Sequence, residues 1–173
     1  MRREMEIGIV CAGLFLLGTL IQGEAAEPKG QKATIEMEAG RIVIELYDKD
    51  APGTVANFVK LAKNGFYDGL KFHRVEPGFV VQGGHPKGNG TGGPGYTIKD
   101  EFNSRKHLIG TVAMARTPAP NSAGSQFYIC LAPQPGLDGK YTVFGQVVEG
   151  IDVVMKIKRG DIMKMVTVME APR

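Results

Sequence analysis

Few side chains in this sequence are able to carry covalent chemistry: three histidines, His73, His85 and His107, and two cysteines, Cys11 and Cys130. Cys11 belongs to an apolar leader. Cys130 sits in the apolar run Phe127 to Leu131, where a thiol packs as a small inert hydrophobe. The histidines are 12 and 22 residues apart, which with one body cysteine is no zinc spacing. Nor does a Ser/His/Asp or Cys/His set present itself. Gly88 to Gly93 fits G-x-G-x-x-G, but a phosphate cradle needs a helix to start straight after it. Pro94-Gly95 follows instead, so the segment reads as a turn-rich surface loop. No metal, nucleotide or flavin is implied.

What remains is polar and aromatic: Phe72-His73-Arg74-Val75, Phe79 to Gly84, Gly124 to Tyr128, and Leu137 to Tyr141. Arginine is always charged and donates hydrogen bonds without accepting any. It suits an enzyme that makes and breaks no covalent bond. Taken singly, each residue has a plainer reading. Arg74 reads as a surface ion-pair partner, Phe79 and Phe127 as core, and Gln82 as a partner for loop backbone.

The elements that must hold these residues are mostly short strands. Ala33 to Glu38 and Arg41 to Tyr47 alternate, with Ala39-Gly40 as a tight hairpin between them. Pro52 to Phe66 carries Val55, Phe58, Val59, Ala62 and Phe66 at helical spacing, with Pro52 suited to the first turn and Gly65 to the end. Strand-like pieces follow at Lys71 to Val75, Phe79 to Gln82, Thr111 to Ala115, Gln126 to Leu131 and Tyr141 to Val148. A second helix is expected over Ile151 to Lys158, then a last strand over Met163 to Glu170. With 24 glycines and 43% apolar residues in 173, the chain reads as one mainly β domain, a barrel or a sandwich.

Residues 1–25 read differently. Ile7 to Gln22 is an apolar run shorter than the roughly 20 residues that span a bilayer comfortably, and Gly23-Glu24-Ala25-Ala26 offers small residues for cleavage. This fits a secretory signal, with an uncleaved membrane anchor as the alternative. A linker, 26–31, and the domain, 32–173, would follow. The leader holds two arginines and three glutamates, so 19 basic and 15 acidic residues remain without it. That excess is scattered and leaves no footprint for nucleic acid. Without Cys11 no intrachain disulfide forms.

In order along the chain, FHRVEPGFVVQGG (Phe72 to Gly84), NGTGG (Asn89 to Gly93), GSQFYI (Gly124 to Ile129) and LDGKYTVFGQV (Leu137 to Val147) resemble the cyclophilins, peptidyl-prolyl cis-trans isomerases. The likeness covers about residues 32–170. It implies a closed eight-stranded antiparallel barrel capped by two helices, with the site on its outer face. It implies Arg74 as the catalytic residue, and Phe79, Val80, Phe127 and Leu137 around the proline ring. Gln82 would bond the substrate backbone, while Ala115, Arg116 and Gln126 border the groove before the proline. Gly90 and Tyr141 complete the substrate contacts, Tyr141 standing where many members have histidine. The partners implied are Xaa-Pro polypeptides met by a monomer, unfolded or newly exported proteins among them.

Departures from the pattern matter too. Gly136 stands where the best-known eukaryotic members have tryptophan, which implies weak cyclosporin binding. Val80 replaces methionine and Arg116 replaces asparagine. The loop after Gly84 is one residue shorter than usual, and Arg116 to Ser125 is one longer. Tyr141 and the missing tryptophan look bacterial, which makes the periplasm the expected destination. Two other functions compete: a proline-peptide binding module or holdase using the same groove, and a barrel carrying a small ligand. Bulky Ile42, Ile44 and Val143, expected to point inward, speak against the second.

Overall fold

The first alternating segments pair as a hairpin of β1 (Lys32–Met37) and β2 (Gly40–Leu46), with Ile35 opposite Ile42 and Met37 opposite Gly40. The turn falls at Glu38-Ala39, one residue earlier than its expected place. Gly40 takes φ 137° and packs so closely that an added Cβ would lie 3.0 Å from Val153 Cγ2. The structure, a computed structural model, describes residues 30–88 and 92–169. The leader and Gly90, both expected to matter, lie outside the described residues.

Helix α1 (Pro52–Lys63) starts on its proline and buries Val55, Phe58, Leu61 and Ala62 along one face. It has no side-chain cap of its own. The Glu101 carboxylate reaches in from a distant loop and accepts the Gly53 and Thr54 N–H groups at 2.9 and 2.7 Å, placing negative charge at the positive helix end. At the other end Gly65 adopts φ 67°. Gly65 N–H bonds Ala62 O at 2.9 Å and Phe66 N–H bonds Leu61 O at 3.0 Å, the paired closure that a left-handed glycine permits.

The other strands are β3 (Arg74–Glu76), β4 (Val80–Gly83), β5 (Thr111–Met114), β6 (Phe127–Cys130), β7 (Val143–Glu149) and β8 (Met165–Met169). With β1 and β2 they form one sheet in the order β3-β4-β6-β5-β7-β2-β1-β8, every pairing antiparallel. Helix α2 (Ile151–Val154) is one turn long and stops short of the expected Lys158. Its continuation tightens into three-residue turns, Lys156 N–H to Val153 O and Ile157 N–H to Val154 O.

The expected closed barrel is corrected by this topology. Strands β3 and β8 are the two edges of a curled, open sheet, with no ladder between them. β3 has only three residues and pairs with β4 alone. The chain before it meets the chain before β8 instead. Gly69 N–H bonds Met163 O at 2.8 Å, Phe72 N–H bonds Asp161 O at 2.9 Å, and one isolated bridge joins Lys71 and Ile162.

The concave face and α1 enclose the main core, where Phe58 lies 5.0 to 5.7 Å from the rings of Tyr67, Phe127 and Phe144. The outer face carries a second, smaller cluster: Val80, Ala113, Tyr128, Cys130 and Val143. Ile42 and Ile44 point inward as expected, whereas Val143 belongs to the outer cluster. A register shift in the β5–β7 pairing between Val112 and Ala113 puts Val143 opposite Ala113.

Candidate active site

The register of the sheet lines up one row of side chains on this outer face. Arg74 stands opposite Gln82, Gln82 opposite Tyr128, and Tyr128 opposite Ala113. Residues directly opposite in antiparallel strands share a face, about 4.5–5.5 Å apart, so the row forms one continuous surface. The turn Glu76-Pro77-Gly78-Phe79, closed by Phe79 N–H to Glu76 O at 3.0 Å and with Gly78 at φ 71°, folds Phe79 back towards Arg74. Proline and glycine at its central positions are what such a turn asks for. The Arg74 guanidinium ends 5.6 Å from the Phe79 ring centroid.

Around this row lies a pocket of about 230 Å³. Arg74, Phe79, Val80, Gln82, Ala115, Arg116, Leu137 and Tyr141 line it together with Tyr128. Its size is below the 300–1,000 Å³ typical of drug-sized ligands, and fits a single small side chain. A wider depression of about 480 Å³ adjoins it, sharing Gln82, Ala115 and Arg116 and adding Gln126, Ser122 and Tyr96. Together they make a groove with a narrow end and a broad end.

Phe127 is corrected. It is fully buried in the main core, edge-on to Phe58, Tyr67 and Phe72, and does not line the pocket. Successive side chains on a strand face opposite ways, and Phe127 pairs with Gly83 and Met114 rather than with Gln82 and Ala113. Tyr128 therefore occupies the pocket wall that Phe127 was expected to form. The plain reading of Phe127 as core, reached from its residue type, holds. What identifies Tyr128 is its register with Gln82, which no single-strand pattern shows.

Hydrogen bonds fix the polar heads. Arg74 Nη1 donates to Gln82 Oε1 at 3.3 Å, and Gln82 Nε2 donates to Gln126 Oε1 at 3.1 Å. Arg74 Nε also lies 3.6 Å from Glu76 Oε1, both side chains about half exposed, so the surface ion pair is present but weak. Held from two sides, the guanidinium keeps donors to spare, since arginine has five. Arg116 is committed differently. It donates to the carbonyls of Ala119, Thr117 and Lys140 at 2.9 to 3.2 Å and approaches Asp100 at 3.6 Å. Its task here is to hold the loop that borders the groove. At Gly136 a Cβ would meet nothing within 4 Å, so the rim beside Leu137 is open.

Among the described residues, no histidine, cysteine or carboxylate lines the groove. Burial pushes the Cys130 thiol up to about 12, so no thiolate forms near neutral pH. Burial, then the neighbouring His85, Arg159 and Arg74, hold His73 below the ordinary histidine value. The groove offers a fixed cation, amide groups and an apolar recess.

A family model described as "Cyclophilin type peptidyl-prolyl cis-trans isomerase/CLD" matches residues 32–172. A peptidyl-prolyl cis-trans isomerase of Synechococcus elongatus is 55% identical over 132 residues, covering 75% of this chain and 90% of the relative. Peptidyl-prolyl cis-trans isomerase B of Bacillus subtilis is 54% identical over 133 residues, covering 76% and 92%. Among solved structures, a cyclophilin type isomerase of Cryptosporidium parvum superposes with a TM-score of 0.76 at 30% identity, over 82% of this chain and 99% of that one. A second crystal structure of that protein, obtained in the presence of the dipeptide Ala-Pro, gives 0.71 at 28% identity over 82% and 99%. On sequence and fold alike, the chain belongs to the cyclophilin type peptidyl-prolyl cis-trans isomerase family.

Proposed function

We propose that this isomerase rotates Xaa-Pro bonds in the outer groove, with the proline ring in the narrow recess and Arg74 as the catalytic residue. The observation that carries the reading is the Arg74–Gln82–Tyr128 row beside an apolar recess sized for one ring. An Xaa-Pro bond resists rotation because the nitrogen lone pair is shared with the carbonyl, a barrier of about 18–20 kcal/mol. Uncatalysed exchange takes tens to hundreds of seconds. As the bond twists, conjugation is lost and the lone pair returns to the prolyl nitrogen, which becomes an acceptor. A fixed donor then binds the twisted state more strongly than either planar one, which is the condition for catalysis. Phe79, Val80, Tyr128 and Leu137 hold the ring and exclude water, strengthening the arginine's field. Gln82 and Gln126 face the peptide preceding the proline.

The substrates proposed are unfolded or newly exported polypeptides, met outside the cytoplasm. Residues 1–25 act as a cleaved signal, or failing cleavage as an anchor. In support, the first strand begins only at Lys32, so cleavage near Ala25 spares every strand. The open rim at Gly136 favours cyclosporin inhibition in the micromolar range or weaker. Titrating an Ala-Pro peptide and following both its exchange and the protein's resonances by NMR tests the assignment. Accelerated exchange with shifts at Val80, Tyr128 and Leu137 supports it. Binding without acceleration makes the chain a binding module, and shifts confined to another face remove the site.

A further inference from the structure

Behind the recess lies His107, fully buried and not itself part of the pocket lining. Both its ring nitrogens are engaged: Nδ1 lies 3.0 Å from Asp138 Oδ1, and Nε2 lies 3.0 Å from the Tyr128 hydroxyl. Its backbone joins Asp138 again and adds Gln134. His107 N–H donates to Asp138 Oδ1 at 2.9 Å, and its carbonyl accepts Gln134 N–H at 2.8 Å. Gln134 and Asp138 are the two ends of the short turn Pro135–Leu137, which sets Leu137 into the recess wall. Lys106 holds the other carboxylate oxygen, Nζ to Oδ2 at 3.2 Å.

Proton bookkeeping orders this chain of contacts. The Asp138 carboxyl, held down to about 2 by the His107 backbone N–H and then its ring, is an acceptor only. Nδ1 therefore carries a proton towards Asp138, and in the neutral imidazole Nε2 accepts from the Tyr128 hydroxyl. Burial raises the Tyr128 phenol well above its ordinary value, so it keeps that proton. The hydroxyl is thereby engaged away from the recess, and a tyrosine serves as an apolar wall.

We propose that His107 is a positioning residue for the proline recess, tying the Tyr128 wall to the Leu137 turn through one imidazole. This rests on the isomerase reading for what the recess holds, but the tie itself is independent of catalysis. The test compares wild type, Tyr128→Phe, His107→Asn and the double variant in the full chain. Tyr128→Phe keeps the ring and removes only the donated bond; His107→Asn keeps a donor for Asp138. Each single change is expected to raise KM for an Ala-Pro peptide about three- to tenfold, the size of one hydrogen bond, with kcat altered less than twofold. The double variant is expected to be no worse than the weaker single, since both cut one link. Tyr128→Phe is also expected to move the Leu137 methyl resonances without any peptide present. Additive losses, or a fall in melting temperature with KM and the Leu137 methyls unchanged, overturn the proposal. So does a loss confined to kcat. If wild type gives no acceleration the isomerase reading fails, and the Leu137 methyls alone then decide whether the tie exists.

Discussion

Arg74 and Gln82 face each other across a ladder, and a one-residue step separates their neighbour Tyr128 from Phe127, which serves the opposite face. That step decides what each aromatic does. Phe127→Ala empties space in the main core and is expected to cost about 3–5 kcal/mol of stability, read as a shift in the denaturation midpoint. Tyr128→Ala empties the outer cluster instead and is expected to lower, besides stability, the peptide affinity that Phe127→Ala leaves largely intact. Equal affinity losses in the two folded variants would contradict the division into two faces. The motifs single out Arg74, Phe79, Val80, Gln82 and Leu137, and the structure brings these five to one recess. Phe127 was misplaced for a physical reason: all four residues of β6 are buried. A strand covered on both faces shows no alternation of apolar and polar residues, so its parity is readable only from its partners.

The elements were legible where their own residues determine them. α1 begins at Pro52 and closes through Gly65, both signals internal to the segment. Its N-terminal partner, Glu101, lies 48 residues beyond Gly53, and no local pattern announces it. Glu101→Ala is expected to cost about 1 kcal/mol, the usual worth of a cap, measured by chemical denaturation. The turn at Leu137 is likewise set from afar, by His107. Asp138 is held at about 2 against an ordinary 3.8, so its ionised form favours folding above about pH 4, and that favour is lost as pH falls to about 2. The denaturation midpoint of wild type should fall through this window, and that of Asp138→Asn should fall less steeply. Parallel slopes would show that the His107 contacts do not form in solution.

At the scale of the molecule, the mainly β class and the order of elements followed from glycine-divided alternating runs, but closure did not. Whether eight strands join their last edge depends on pairing between β3 and β8, which no local pattern shows, and these two stay unpaired. The groove's row crosses β3, β4, β6 and β5 and so starts at one of the two edges, with Arg74 on β3 itself. The leader makes a separate prediction: the mature protein recovered from its own cell envelope should begin near Ala26, as its intact mass would show. An intact mass retaining residues 1–25 together with membrane association would make the leader an anchor. The central claim is that one fixed cation, with no proton transfer, turns the prolyl bond. It is tested most directly by cis-to-trans exchange of an Ala-Pro peptide with wild type and Arg74→Ala, alongside the binding constant of each. The account predicts a loss on the order of 10²-fold in exchange rate, the size of one well-placed transition-state donor, with binding changed far less. Equal exchange rates for the two proteins, at equal binding, would contradict it.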